Sequence, residues 1–122
     1  MEGRPGNLDT RTKIVSIDEA RKLTDGKPTR WLAGDFDPLL APHIRRLREL
    51  AAPGRLLVVG LNEPARPLLP RRARAELVAA LAMVDYVVPD AAAGSFEQLN
   101  DASVTEQLVA HVVQRHAMEV KP

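Results

Sequence analysis

The sequence predicts an α/β fold in which helices cover a short parallel β-sheet. Helical and strand patterns alternate along the chain, and the clearest strand, at residues 56–61, is apolar throughout. Such a strand is typical of a parallel sheet that is covered on both faces. The composition agrees, because 45% of the 122 residues are hydrophobic but only 3% are aromatic, which predicts an aliphatic core.

A chain of this length has enough surface to bury for one domain. Residues 1–12 contain glycine, proline and polar residues with almost nothing apolar, so we predict a mobile leader there and a single domain over residues 13–122. The domain is expected to open with a short helix, because Ser16 and Glu19 have the spacing of a capping box.

Three apolar runs are predicted as strands, at residues 31–33, 56–61 and 86–88. A helix with Pro42 in its first turn is expected between the first two strands, and a second helix is expected over residues 71–84. The residues predicted to face inward on this second helix are Leu77, Ala80, Leu81 and Val84. Residues 91–102 are predicted to be irregular, and a last helix is predicted from Ser103 to Met118.

Several classes of function are excluded by residue supply. The chain has no cysteine, which rules out a disulfide scaffold, a thiolate zinc site and cysteine catalysis. His111 and His116 lie five residues apart on the predicted last helix and do not share a face, so we expect no protein-held metal site. No apolar stretch approaches the roughly 18 residues of a membrane span. We therefore expect a cytoplasmic protein with no membrane contact.

The charge is unevenly distributed along the chain. Residues 43–76 hold eight arginines against three acidic residues, although the formal net charge of the whole chain is only +1. An arginine-rich region can attract phosphates, but a solvated helix face gives the same count. Nucleic acid is not expected as a partner, because the net charge is small and aromatic residues for base stacking are scarce.

The loops that follow the strands are where a parallel sheet binds its ligands. The first of them, at residues 34–43, reads GDFDPLLAPH. It resembles the G-x-F-D-x-x-H-x-G-H signature of the cytidylyltransferase-like nucleotidyltransferases, in particular the adenylyltransferase domain of ADP-heptose synthase. Other segments resemble the first helix, second strand, third helix and third strand of that family, in the same order; they are residues 13–19, 57–62, 74–81 and 84–88.

This resemblance implies a Rossmann-like three-layer sandwich with a short parallel sheet, truncated at the C-terminus relative to the family. It also implies transfer of a nucleoside monophosphate from ATP or CTP to a sugar phosphate, with Mg²⁺ as cofactor and pyrophosphate as product. His43 would then be catalytic. The residues implied to bind nucleotide or phosphate are Gly34, Phe36, Asp37, His43, Asn62 and Arg74.

Four of these residues also have a structural interpretation that the sequence leaves open. Gly34 could allow a tight turn, Phe36 could belong to the core, and Asp37 could cap the following helix. His43 could be an ordinary histidine at a helix start.

The sequence departs from the family pattern at positions that matter for catalysis. Leu40 stands in place of the first histidine of H-x-G-H, and Pro42 stands in place of its glycine. A lysine expected before Arg66 is missing, and so are the family's later strands. We therefore favour a catalytically degenerate domain, a pseudoenzyme, that acts as a nucleotide- or anion-binding or assembly module, with no cofactor of its own.

The alternative is an active nucleotidyltransferase in which the missing groups are replaced by His43, Asp37 and some of Arg66, Arg71, Arg72 and Arg74. A three-stranded sheet would also leave an apolar edge, so we expect a homo-oligomer. The face predicted for that contact consists of Val109, Val112, Val113 and His116.

Overall fold

The computed structural model describes residues 9–99, whose strands form one parallel sheet. A 3₁₀ turn at Thr10–Lys13 precedes α1 (Ile17–Thr24), β1 (Thr29–Gly34), α2 (Ala41–Leu50), β2 (Leu56–Leu61), α3 (Arg71–Ala79) and β3 (Tyr86–Val88), and a second 3₁₀ turn at Ala91–Ala93 precedes β4 (Glu97–Gln98). The strand order is β3-β2-β1-β4, with every neighbouring pair parallel. The predicted small α/β, Rossmann-like fold is confirmed.

Alternating side chains of the strands pack against helices on the two faces of the sheet. Leu57, Val59 and Leu61 of β2 join the larger core cluster, which contains buried residues of α2 and α3. Val58, between them, joins a smaller cluster with Ala20 of α1. The period of two along β2 therefore fixes three layers, with α2 and α3 on one face and α1 on the other.

The first helix begins where its sequence pattern places it. Ser16 is its N-cap, and its hydroxyl oxygen accepts a hydrogen bond from the backbone N–H of Glu19 at 3.1 Å. On the opposite side of the sheet, Pro42 lies in the first turn of α2, as predicted.

The sheet has a fourth strand that the sequence analysis did not predict. β4 pairs with β1 in the register Leu32↔Glu97 and Ala33↔Gln98, inside a segment that was expected to be irregular. Both residues of β4 are polar and exposed, so they lack the apolar run that identified the other strands. The expectation of a three-stranded sheet is therefore wrong for the edge formed by β1.

The predicted inward face of α3 is also wrong in part. Leu77 is 45% exposed and Ala80 lies beyond the end of the helix at Ala79. The buried residues of α3 are Arg74, Ala75, Val78 and Ala79. The spacing of apolar residues predicts the wrong face, because the buried face of this helix includes Arg74, and an arginine is expected to face solvent.

The predicted last helix and its assembly face lie outside the described residues. Within residues 9–99, no helix has both the length and the apolar character needed to cross a membrane.

Candidate functional site

The order of the strands brings three loops together at one edge of the sheet. The chain moves from β1 through β2 to β3 in one direction, and β4 then pairs on the opposite side of β1. Ligands of α/β proteins bind beyond the carboxyl ends of the strands where the order reverses in this way. Two clefts lie at this edge, and four of the six predicted site residues line one or the other of them.

The first cleft has a volume of about 500 Å³ and lies between the loops after β1 and β2. Three predicted residues, Phe36, Asp37 and His43, contribute to its wall. The full lining is Asp35, Phe36, Asp37, Pro38, Leu40, His43, Pro64, Arg66 and Leu68. The loop with the family signature therefore does form one side of a concave site.

His43 is buried at the start of α2, with only 3% of its surface exposed. Its Nδ1 accepts a hydrogen bond from the backbone N–H of Leu40 at 3.0 Å. A ring nitrogen that accepts a hydrogen bond carries no proton, so this geometry fixes the neutral tautomer with the proton on Nε2. His43 thus combines a helix-capping contact with an Nε2–H donor.

The ring of Phe36 packs edge-on against the ring of His43, with 5.5 Å between the ring centroids. Phe36 is fully buried and has a φ of 47°, which residues other than glycine adopt rarely. Its ring holds the histidine from the core side. Phe36 therefore belongs to the core while also reaching the cleft wall.

Asp37 joins the two loops of the first cleft. Its Oδ2 accepts a hydrogen bond from the backbone N–H of Leu68 at 2.6 Å, and its Oδ1 accepts one from Leu69 at 2.8 Å. The N-cap of α2 is Leu40, so Asp37 does not cap that helix. Both carboxylate oxygens instead hold the loop after β2 against the loop after β1.

Arg74 lies beneath both loops and is fully buried. Its guanidinium donates to the carbonyl oxygens of Asp35 (3.2 Å), Asn62 (3.0 Å) and Leu69 (3.2 Å), and to Oε1 of Glu63 (3.0 Å). Four of its five N–H groups thus contact the protein. Arg74, which was predicted to bind phosphate, holds the two loops together in the structure.

Glu63 is the acidic partner of Arg74 and also binds Arg71. Both arginines donate to Oε1 of Glu63 at 3.0 Å. Hydrogen bonds from Arg71 and then Arg74 hold the pKa of Glu63 below its ordinary value.

The remaining two predicted residues lie away from the first cleft. The carbonyl of Gly34 accepts a hydrogen bond from the backbone N–H of Asn62 at 2.9 Å, which extends the pairing of β1 with β2. The side chain of Asn62 donates to Oε1 of Gln98 at 2.8 Å. Asn62 lines a second cleft, of about 460 Å³, together with Leu61, Glu63, Asp90, Ala91, Ala92, Gly94, Ser95, Phe96 and Gln98.

The arginine-rich region is used mostly for contacts within the protein. Arg46, Arg71 and Arg72 pair with glutamates, and Arg74 is buried. Arg66 is exposed, lines the first cleft and makes no hydrogen bond or ion pair with the part of the chain that the structure describes. From the sequence, Arg66 is one of several arginines that could replace the missing groups. Its position in the structure makes it the arginine of this cleft.

Leu40 and Pro42 make the start of α2 poor in donors. The side chain of Leu40 offers none, its backbone N–H is donated to His43, and Pro42 has no N–H. A helix start normally binds anions through such groups.

Residues 9–99 contain no group of three or more His, Asp or Glu side chains that could hold a metal ion. Mg²⁺ is commonly held by one or two carboxylates together with substrate phosphates. Asp35 and Asp37 are the carboxylates on the cleft wall, and both oxygens of Asp37 already accept hydrogen bonds from the loop after β2.

Together, the parallel sheet and the signature loop at its carboxyl edge define a nucleotidyltransferase-related α/β domain. Comparison with curated proteins confirms the predicted resemblance, because the chain is related to proteins named bifunctional protein HldE, an ADP-heptose synthase with a cytidylyltransferase-like domain. No protein-family model matches the sequence.

Three of these relatives show the extent of the similarity. The protein from Citrifermentans bemidjiense is 36% identical over an alignment of 97 residues, and the match covers 68% of this chain and 20% of the relative. The protein from Geobacter sulfurreducens is 36% identical over 91 residues (67% and 18%), and that from Helicobacter pylori is 35% identical over 88 residues (65% and 19%). This chain therefore spans about a fifth of the length of the curated relatives that it matches.

Proposed function

We propose that this domain binds a nucleotide or a sugar phosphate in the first cleft but transfers nucleotidyl groups slowly or not at all. The proposal rests on the composition of the cleft wall. The wall retains Arg66 and His43, but Leu40 stands where the family has its other histidine. Such a site could bind a ligand without catalysing its reaction.

The groups suited to binding are Arg66 and His43. Arg66 supplies a positive charge in the cleft, and the ring of His43 forms part of the cleft wall. A guanidinium suits phosphate oxygens. The apolar side chains of Leu40 and Leu68 also line the cleft.

The groups for transition-state stabilisation are reduced. Removal of one preorganised donor typically costs a factor of about 10²–10³ in rate. The wall offers no side-chain donor at position 40, and the start of α2 lacks the backbone donor that Pro42 removes. A domain with these changes is expected to bind substrate far better than it turns substrate over.

Calorimetric titration of the full chain with ATP and with CTP, each with Mg²⁺, tests the binding part of the proposal. We expect saturable binding, and we expect Arg66→Gln to weaken it roughly tenfold, because a charge-assisted contact to phosphate is lost. Arg45→Gln is the matched control, since it removes one exposed positive charge that does not line the cleft. The site would be contradicted if neither ATP nor CTP bound, or if the two variants weakened nucleotide binding equally.

His43→Asn tests the role of the histidine ring in the cleft wall. The Oδ1 atom of asparagine can accept the Leu40 N–H, so that contact at the start of α2 is kept while the ring is lost. We expect calorimetry to show weaker nucleotide binding, and unchanged binding would show that the ring takes no part in it.

The second candidate is an active nucleotidyltransferase that transfers a nucleoside monophosphate from ATP or CTP to a sugar phosphate. The presence of both Arg66 and His43 on the wall of one cleft favours it. In this alternative Arg66 replaces the missing lysine, and Mg²⁺ enters with the nucleotide. Release of pyrophosphate distinguishes the two candidates.

A further inference from the structure

The wall of the first cleft is largely apolar and poor in hydrogen-bond donors. Five of its nine lining residues have apolar side chains; they are Phe36, Pro38, Leu40, Pro64 and Leu68. The two prolines have no backbone N–H, and the backbone N–H of Leu40 is donated to the ring of His43. A ligand with many charged groups would therefore lose hydration in this cleft and gain few hydrogen bonds in return.

The charged groups of the same wall favour a ligand with little negative charge. Arg66 is the only lysine or arginine among the described residues that line the cleft, whereas two carboxylates, those of Asp35 and Asp37, lie on the wall. One phosphate group can bind the guanidinium of Arg66. Each additional phosphate would approach the carboxylates without a second arginine or lysine to offset the repulsion. The wall thus suits one phosphate group and disfavours a chain of them.

Leu68 presents an exposed apolar side chain at a fixed place in the wall. It is 75% exposed, more than any other large hydrophobic residue in the described part of the chain. Its backbone N–H donates to Oδ2 of Asp37 at 2.6 Å, and the N–H of Leu69 donates to Oδ1 at 2.8 Å. An apolar group that covers Leu68 would remove apolar surface from water, and little ordering of the loop would oppose this gain.

We propose that the first cleft accommodates a single phosphate group, bound by Arg66, and selects a phosphate ester whose organic part is apolar and covers Leu40 and Leu68. This inference rests on the proposed function, which puts a phosphate ligand in this cleft, and it adds the chemical class of that ligand. An alkyl or aryl monophosphate has this chemistry. A sugar phosphate has the phosphate without the apolar part, and a nucleoside triphosphate has more phosphates than the wall can bind.

The selection for an apolar part is tested by calorimetric titration of the full chain with phenyl phosphate and with glucose 1-phosphate. Both probes have one phosphate group, and they differ in the polarity of the organic part. We expect phenyl phosphate to bind at least about fivefold more tightly, because its ring can cover apolar side chains that a hydroxylated sugar covers poorly. Arg66→Gln should weaken the binding of both probes by a similar factor.

Leu68→Ser is the diagnostic variant, since it removes an exposed side chain and keeps the backbone N–H that binds Asp37. We expect it to reduce the preference for phenyl phosphate to less than twofold. Leu77→Ser is the matched control, because Leu77 is also an exposed leucine, at 45%, but lies on α3 and does not line the cleft. This control should keep the full preference.

The limit of one phosphate is tested by comparing AMP with ATP, each with Mg²⁺. We expect their dissociation constants to agree within about threefold, because the second and third phosphates find no further cation. The inference is overturned if ATP binds more than threefold more tightly than AMP, if phenyl phosphate shows less than twofold preference over glucose 1-phosphate, or if both leucine variants keep that preference. Those results would leave the proposed function standing where ATP binds, whereas no binding by any of the four phosphate esters would overturn both.

Discussion

Arg74 shows how one buried charge can organise a loop-built site. Its guanidinium contacts the loop after β1 through Asp35 and the loop after β2 through Asn62, Glu63 and Leu69. A planar group with five donors can satisfy several carbonyl oxygens at once, which a lysine cannot do. The family resemblance implied a phosphate contact here, because sequence shows that a donor exists but not which acceptor it binds.

Replacement of Arg74 by methionine is expected to destabilise the fold by about 2–4 kcal/mol. The substitution leaves three partly buried carbonyl oxygens without this donor and removes one of the two cations that bind Glu63. Urea unfolding measures the change. Arg72→Gln on the same helix is the control, because its exposed pair with Glu76 is worth less than about 1 kcal/mol. An equally small loss in both variants would show that the buried contacts do not stabilise the fold.

The ion pairs of Glu63 predict a dependence of stability on pH. Its pKa is lowered in the folded protein, so its contribution is present above the unfolded pKa, which is about 4.3. That contribution is lost as the pH falls through the lowered folded value. In urea titrations between neutral and acidic pH, Glu63→Gln should therefore lose less stability than the unchanged chain. The difference should shrink in an Arg71→Gln background, and an unaltered difference would contradict the assignment.

At the scale of the elements, the helix-strand alternation was predictable and the short or polar pieces were not. β2 is visible in sequence because six apolar residues occur together, and α1 because Ser16 and Glu19 have capping spacing. β4 has only Glu97 and Gln98, and its position depends on backbone pairing with β1. Backbone hydrogen bonds to a neighbouring strand do not depend on the type of side chain, so such a short strand has no recognisable pattern of apolar residues.

The loop after β2 shows the same limit. Asn62 to Pro70 was predictable as irregular from its prolines, but its attachment to Asp37 depends on two elements that are distant in sequence. The signature aspartate therefore has a contact that its motif did not reveal. This contact is what gives the first cleft a fixed second wall.

Asp37→Ala is expected to release that wall without unfolding the domain. Hydrogen exchange at the amides of Leu68 and Leu69 should accelerate at least about tenfold, because each hydrogen bond to a charged acceptor contributes about 1.5–3 kcal/mol. Amides in β2 should retain their protection. Arg66→Gln in the same loop serves as the control and should leave both amides unchanged; unchanged exchange in Asp37→Ala would show that the carboxylate does not hold the loop.

At the scale of the whole molecule, homo-oligomerisation stays a prediction. The edge of β1 is paired with β4 through only two residues, and Ile14 forms an isolated bridge to Val87 of β3. Short coverings of this kind protect an edge only in part. Light scattering of the full chain at high micromolar concentration should give a mass above 13.4 kDa per particle. A strictly monomeric mass would contradict the prediction.

We propose that this nucleotidyltransferase-related domain has kept a binding cleft and lost turnover. The fold and the family resemblance could be predicted from sequence, since both depend on local patterns and on the signature at residues 34–43. The environment of each site residue could not, because Asp37, Asn62 and Arg74 are engaged by partners from other elements.

The most direct measurement is pyrophosphate release from ATP and CTP in the presence of Mg²⁺ and sugar phosphates, on protein that calorimetry shows to bind nucleotide. We predict no release above background from the unchanged chain, and tighter nucleotide binding when Leu40→His and Pro42→Gly together restore donors to the start of α2. Sustained pyrophosphate release that His43→Ala abolishes would contradict the claim and establish an active enzyme.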